Sequence, residues 1–439
     1  MKTLKTNIYF KISIIFIIGL LLLIPTSMIK SLIREREFTQ KNAIREVSSK
    51  WGKEQTISGP YISVPYYKYI KQYSKKDSSN KIVKIKEYIH FLPTDLTING
   101  KIFPERRYRS IYEIVVYNSK LNISGVFDKM KFSDFDIPLQ NIQFNKAIIS
   151  VGISDLRGIE KQVILNWNNN KSLFNPGTIT NDIIQSGINV KVPLTNDDNS
   201  SYKFSFDLDL KGSQMLYFTP VGEITNVNIT SAWNNPSFNG AFLPDSRNVS
   251  NTGFTANWNI LHLNRNYPQK WIGSNRNTNS SAFGVDLKLP VDNYQKSMRS
   301  IKYAILFIAF TFMVLFFVEV LNGIFIHPIQ YILIGIALLV FYTLLLSISE
   351  YLNYYITFAI STFATLLLIV GYVKAILKSN KLSMLIGGIL FILYTFIFII
   401  IQLQDYALLI GSIGIFIILG MLMYFSRKID WYNLKLGEK

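Results

Sequence analysis

The strongest constraint on this chain is where its apolar residues lie. A helix must run for about 20 apolar residues to cross the roughly 30 Å hydrocarbon core of a bilayer. Six stretches approach that length. One, Ile12–Ile29, reads ISIIFIIGLLLLIPTSMI and carries no charge. The other five crowd the C-terminal third: Tyr303–Leu321, Ile329–Ile348, Tyr355–Val373, Ser383–Ile401 and Ala407–Phe425. A polar segment separates the two groups. The pattern predicts a six-helix membrane protein with one helix at the N-terminus, and its first partner is the lipid bilayer.

Lys2, Lys5 and Lys11 precede the first stretch, the layout of a signal sequence. Its length, the Pro25 and Met28 where small residues would mark cleavage, and the nearby Lys30 favour an uncleaved anchor. Charge then orients the helices, because short cytoplasmic loops carry the Lys and Arg. With the N-terminus inside, the inner flanks hold Lys2, Lys5 and Lys11, then Lys374, Lys378 and Lys381, then Arg427, Lys428, Lys435 and Lys439. The outer loops carry Glu350 and Asp405 and no basic residue. Lys30, Arg34 and Arg36 oppose this, and the loop Asn322–Pro328 is nearly neutral. The balance predicts both termini in the cytoplasm.

This places residues 34–300 outside. They hold 34 basic and 23 acidic residues, against +18 for the whole chain. A surplus spread so thinly solubilises more than it selects a ligand. With no basic cluster interleaved with aromatics, and with an external location, nucleic acid is excluded as a partner. Tyr202–Leu210 and Phe283–Leu289 alternate apolar and polar residues, the period of a half-buried strand. Ile111–Tyr117, Leu121–Phe127, Ile188–Leu194 and Val227–Ile229 do so more briefly, with turn residues between. Leu32–Lys50 reads as a helix prolonging the first one. The expected fold is α+β: a transmembrane signal anchor over 1–33, a large all-β, sandwich-like periplasmic domain over 34–300 in one or two lobes, and a five-helix transmembrane bundle with a short tail over 301–439.

The chain has no cysteine and three histidines, so disulfides, thiolate chemistry and His-based metal sites are set aside. No G-x-S-x-G, H-E-x-x-H or P-loop motif occurs. No catalytic, cofactor or metal site is expected. His90 and His262 read as satisfied or exposed imidazoles, and Asp207 with Asp209 as the solvated face of one strand. Tyr217-Phe218, Trp233, Trp258 and Trp271 read as core. The better candidate is Glu319, an ionisable residue inside a membrane stretch. It lies near the inner end, within snorkelling reach of the headgroups. His327-Pro328 opens the next helix after a short turn, so Glu319 and His327 are expected to meet as a functional pair or, more simply, a hairpin clasp.

Several stretches carry a family resemblance: Lys302–Phe312, Phe316-Phe317 with Glu319, His327–Tyr331, Phe341-Tyr342, Leu344–Leu346, Ser349-Glu350, Pro236–Phe238 with Gly240, Phe242–Pro244 and Gly253-Phe254, Val151–Gly158, and Ile429–Tyr432. Through these stretches the chain resembles the CreD family of bacterial inner-membrane proteins, also called cell envelope integrity proteins. Tyr351 and Asn235 stand where the family pattern leads one to expect His. The resemblance implies an inner-membrane location, a periplasmic domain, and association with envelope integrity, colicin tolerance and two-component control. It implies no defined reaction. The function expected is a non-enzymatic protein of the inner membrane that contributes to envelope integrity or stress response, meeting an envelope protein partner through its periplasmic domain. The alternatives are a transporter or channel with an external β domain, then a sensor.

Overall fold

The computed structural model describes residues 8–74, 79–128, 130–195, 200–274, 276–289, 293–403 and 406–427. Lys2, Lys5, Asp405, Lys428, Lys435, Lys439 and the Ile429–Tyr432 stretch lie outside them. By compactness the chain divides into two units, Met1–Lys41 with Val291–Lys439, and Asn42–Pro290.

The first unit is helical. α1 (Ile8–Leu21) and α2 (Leu23–Trp51) are separated by a turn at Leu22. Pro25 explains the break, since it lacks the N–H that would bond back one turn. The helix resumes directly beyond it, the Leu22 carbonyl accepting from the Thr26 N–H at 3.2 Å and from its hydroxyl at 2.7 Å. α3 (Asn293–Lys302) is short and amphipathic, with Tyr294, Ser297, Ser300 and Ile301 buried. Then come α4 (Ala304–Asn322), α5 (Pro328–Ser349), α6 (Tyr354–Leu377) and α7 (Asn380–Gln402), each long and apolar enough to span a bilayer. A further apolar helix, α8 (Ala407–Ser426), follows. Local chemistry sets their ends. Gly323 at φ +62° stops α4, a left-handed position that suits glycine. Asn353 and Ser379 cap α6 and α7. Of the glycines in α7 and α8, Gly387 admits Val370 of α6, and Gly414 admits the ring of Phe396, where a Cβ would stand 2.0 Å from it.

The second unit is built on two sheets, one of nine strands and one of eight. In the first, Gln55–Ser74 is central, pairing Ser79–Phe91 and Ile148–Ile153 antiparallel and Met215–Thr219 parallel. In the second, Asp95–Arg109 pairs Tyr112–Asp128 antiparallel and Ile224–Ser231 parallel, and Ser201–Ser213 runs along Tyr112–Asp128. Alternating burial along Ser201–Ser213 puts Tyr202, Phe204, Phe206, Leu208 and Leu210 inside.

Those side chains join a single core drawn from both sheets. Trp258 of one sheet meets Phe283 of the other at 5.5 Å and Phe238 at 5.9 Å. The Tyr117 hydroxyl crosses to the Met215 carbonyl at 2.7 Å. One continuous core makes this one sandwich-like unit rather than two lobes. Phe218, Trp233, Trp258 and Trp271 are buried in it, as expected for core aromatics, whereas Tyr217 is only half-buried, its hydroxyl donating to Asp286 at 3.0 Å.

Candidate functional site

The helical unit contains a buried ionic cluster. α4 ends on Gly323, and the chain returns through Phe325 and Ile326 to His327, which opens α5. This brings the Ile326 backbone back over Glu319. The Glu319 carboxylate accepts from the Ile326 N–H at 3.1 Å and from the Tyr331 hydroxyl at 2.9 Å. Its charge is met by Lys11 of α1, whose ammonium forms a salt bridge with it. Lys11 also donates to the Ile326 carbonyl at 2.7 Å and lies over the Phe325 ring, 4.1 Å from its centroid. Glu319 is fully buried and Lys11 is 5% exposed.

Two expectations need correction. Glu319 does not snorkel, because Ile326 and Tyr331 close over it. His327 is not its partner. The His327 ring accepts from the Ile329 N–H at 3.4 Å, and Gln330 accepts from the His327 N–H at 2.9 Å, so the imidazole is committed to capping α5. The partner sequence reasoning missed is Lys11. It reads as a flanking charge, but Tyr9 and Phe10 precede it, and α1 already begins at Ile8.

Such a cluster fastens helices together. Opposite charges removed from water are tolerated only with close pairing and further hydrogen bonds, and both are present. The carboxylate has donors from a side-chain ammonium, a phenol and an amide, which leaves little capacity for a substrate or transported ion. α1 is thereby tied to the α4–α5 turn, and Ile8 packing on Phe316 adds apolar contact between the same helices.

A second cluster joins the middle of α2 and α3 to the end of α5 and the start of α6. Glu350 accepts from the Tyr294 hydroxyl at 2.9 Å and lies 3.8 Å from Arg36. The Asn293 side chain donates to the Ser349 carbonyl at 2.6 Å, and Ser300 and Tyr354 share a hydrogen bond of 2.7 Å. The Ser349-Glu350 pair thus terminates α5 and holds α3 against it. Tyr351, where a family histidine was expected, is 74% exposed and takes no part.

The β unit holds an arrangement that resembles a catalytic triad. His90 Nδ1 lies 2.9 Å from Ser63 Oγ, and Nε2 lies 3.1 Å from Asp182 Oδ2. Ser63 is 1% exposed and His90 fully buried, with Tyr61, Tyr88 and Trp271 around the ring. No substrate reaches that hydroxyl. The nitrogens are also reversed relative to a hydrolase, where Nε2 serves the serine. Burial pushes the imidazole pKa down, and Asp182 only partly opposes this. His90 is a satisfied neutral core histidine, and His262 is part-exposed beside Glu223 at 4.0 Å. Asp207 is held by Asn122 at 2.7 Å and Asp209 by Lys161 at 2.6 Å, each on its own partner.

The Val151–Gly158 stretch is explained by Asp155. Its carboxylate accepts from the Lys53 N–H at 3.0 Å, the Arg157 N–H at 3.2 Å and the Arg157 guanidinium at 2.8 Å. Arg157 holds this carboxyl below the usual carboxylate range. Gly158 follows because a Cβ there would stand 2.3 Å from the Lys211 carbonyl. Among the described residues no group of three or more His, Cys, Asp or Glu is placed to hold a metal.

The family model described as "Inner membrane protein CreD" matches residues 7–432. A protein of that same description from Escherichia coli strain K12 is 32% identical over 440 residues, 99% of this chain and 96% of the relative. Among solved structures, an M1 zinc metallopeptidase from Deinococcus radiodurans aligns with a TM-score of 0.21 and 9% identity, covering 45% of this chain and 42% of that one. A likeness that slight carries no argument.

Proposed function

The chain belongs to the CreD family of inner membrane proteins, and from that membership we propose that it acts without catalysis, contributing to envelope integrity through contacts made by its β unit outside the cytoplasm. The observation that carries this reading is the architecture: a large sandwich with one closed core, joined at both of its chain ends to membrane-spanning helices. A domain held this way is kept at the membrane surface, where envelope components are its neighbours. The triad-like grouping Ser63–His90–Asp182 among its described residues has its serine and histidine buried, which favours binding over chemistry. The distribution of Lys and Arg supports a cytoplasmic position for both termini.

The test is in-cell photocrosslinking from exposed apolar positions of the β unit, such as Tyr69, Leu243 and Val249. A discrete adduct that grows under envelope stress is expected. Correct insertion with no adduct at any position would remove the support for this reading.

A transporter or channel is the second reading. It rests on the inward face of α6, where Thr357, Ser361 and Thr365 are buried at helical spacing. Glu319 lends it nothing, being closed by Lys11, Ile326 and Tyr331. Flux through liposomes containing the full-length protein would support it.

A further inference from the structure

α4, α7 and α8 leave a groove of about 650 Å³ between them. Val314 and Phe317 form one wall, Ile389 and Phe396 the floor, and Ile417 the other wall; apart from Thr311 and Asn322 every lining residue is apolar. Along α4 the lining runs from Phe310 to Asn322 and along α7 from Leu382 to Phe396, about 18 and 21 Å at 1.5 Å per residue. That is about two thirds of the roughly 30 Å hydrocarbon core. A spanning helix of a second copy would need the full thickness, whereas an extended acyl chain needs only this length.

Basic residues lie close in sequence to one end of its lining. Asn322, Leu382 and Met421 line the groove at one end. Lys378 is the C-cap of α6, Lys381 lies in the first turn of α7 beside Leu382, and Arg427 follows α8. All three are exposed. Neither Lys374–Leu382 nor Met421–Arg427 contains a carboxylate, and Glu319, the one acidic residue of α4, is spent on Lys11. Among the described residues, the segments at this end of the slot thus carry basic and no acidic side chains.

We infer that the groove between α4, α7 and α8 binds one anionic phospholipid, its acyl chain between Val314 and Ile417 and its phosphate at Lys378 and Lys381. Basic clusters at a membrane surface recognise acidic headgroups at about 1 kcal/mol per Lys or Arg, and the groove fixes a single site where an open surface would not.

The test is native mass spectrometry of the full-length protein in mild detergent, with phosphatidylglycerol and phosphatidylcholine added in equal amounts. The expected result is one phosphatidylglycerol adduct that survives conditions removing phosphatidylcholine. The exposed double variant Lys378→Gln with Lys381→Gln should lower the phosphatidylglycerol preference by about thirtyfold. Ile389→Trp, which fills the slot, should abolish the adduct. Equal retention of both lipids by the unaltered protein, an unchanged preference in the lysine variant, or an adduct that persists in a folded Ile389→Trp protein would each overturn the assignment. So would tighter retention of a free fatty acid than of phosphatidylglycerol.

Discussion

Lys11 and Glu319 are 308 residues apart in the chain and form a salt bridge inside the helical unit. The first helix is therefore fixed in register against the fourth by one specific pair. Leaving a buried charge without its partner costs more than deleting both. Glu319→Gln or Lys11→Met alone should destabilise the protein by about 3–5 kcal/mol, and the Lys11→Met, Glu319→Met double variant should recover most of the loss. Thermal unfolding and membrane abundance of the four proteins measure this. If the double variant is as poor as the sum of the singles, the pair is not the unit of stability.

His90 makes the β unit sensitive to mild acid. Burial lowers its pKa below the ordinary value, so the unfolded chain takes up a proton that the folded imidazole resists. The stabilising effect is complete above the unfolded pKa of about 6.5 and diminishes as pH falls toward the depressed folded value. Unfolding midpoints of the full-length protein, followed by tryptophan fluorescence, should drop between pH 7.5 and 5. His90→Gln should be less stable at pH 7.5 and have a flatter profile across that interval. An equal slope in both proteins would assign the acid sensitivity elsewhere.

Much of this fold is legible in the sequence because two periodicities are strong. The spanning helices need only length and hydropathy, so Tyr303–Leu321 and α4 differ by a single residue at each end. Tyr202–Leu210 alternates cleanly and lies within the strand Ser201–Ser213. The long central strand Gln55–Ser74 is not legible, since Pro60 and Pro65 interrupt its pattern. In the structure the register with Ile148–Ile153 shifts between Ser58 and Tyr61, and this irregularity accommodates Pro60. The ionic cluster is half legible. Glu319 is conspicuous by its depth, but Lys11 resembles any lysine flanking a signal anchor, and nothing local names a partner 308 residues away. His327 draws attention by proximity in sequence, and its ring is already taken by its own helix.

Asp155 separates two effects that are easily conflated. Its bridge to Arg157 contributes little to stability, because that guanidinium is 57% exposed and solvent screens the pair. The backbone N–H groups of Lys53 and Arg157 depend on the carboxylate more. Asp155→Asn should cost about 1.5–3 kcal/mol, the range for a buried hydrogen bond to a charged group. Arg157→Ala should cost less than about 1 kcal/mol. The depressed carboxyl pKa adds stability that is full above about pH 4 and fades as pH falls through the folded value, so the deficit of Asp155→Asn should narrow in that acid range. Denaturant midpoints decide it, and a larger loss from Arg157→Ala would reverse the assignment.

The orientation can be read directly because the chain has no cysteine of its own. A single introduced thiol therefore reports one position without background. Tyr351, in the α5–α6 connection, is 74% exposed, and Lys378, in the α6–α7 connection, is exposed as well. α6 separates these two sites, so a membrane-spanning α6 puts them on opposite faces. Positive residues gather at Lys374, Lys378 and Lys381, and Glu350 sits at the other end, so the expected place of Lys378 is the cytoplasm. In intact spheroplasts, Tyr351→Cys should react with a membrane-impermeant maleimide, and Lys378→Cys should react only after permeabilisation. The opposite labelling would reverse the topology and bring the β unit inside the cell. Labelling of both sites in intact spheroplasts would show that α6 does not span.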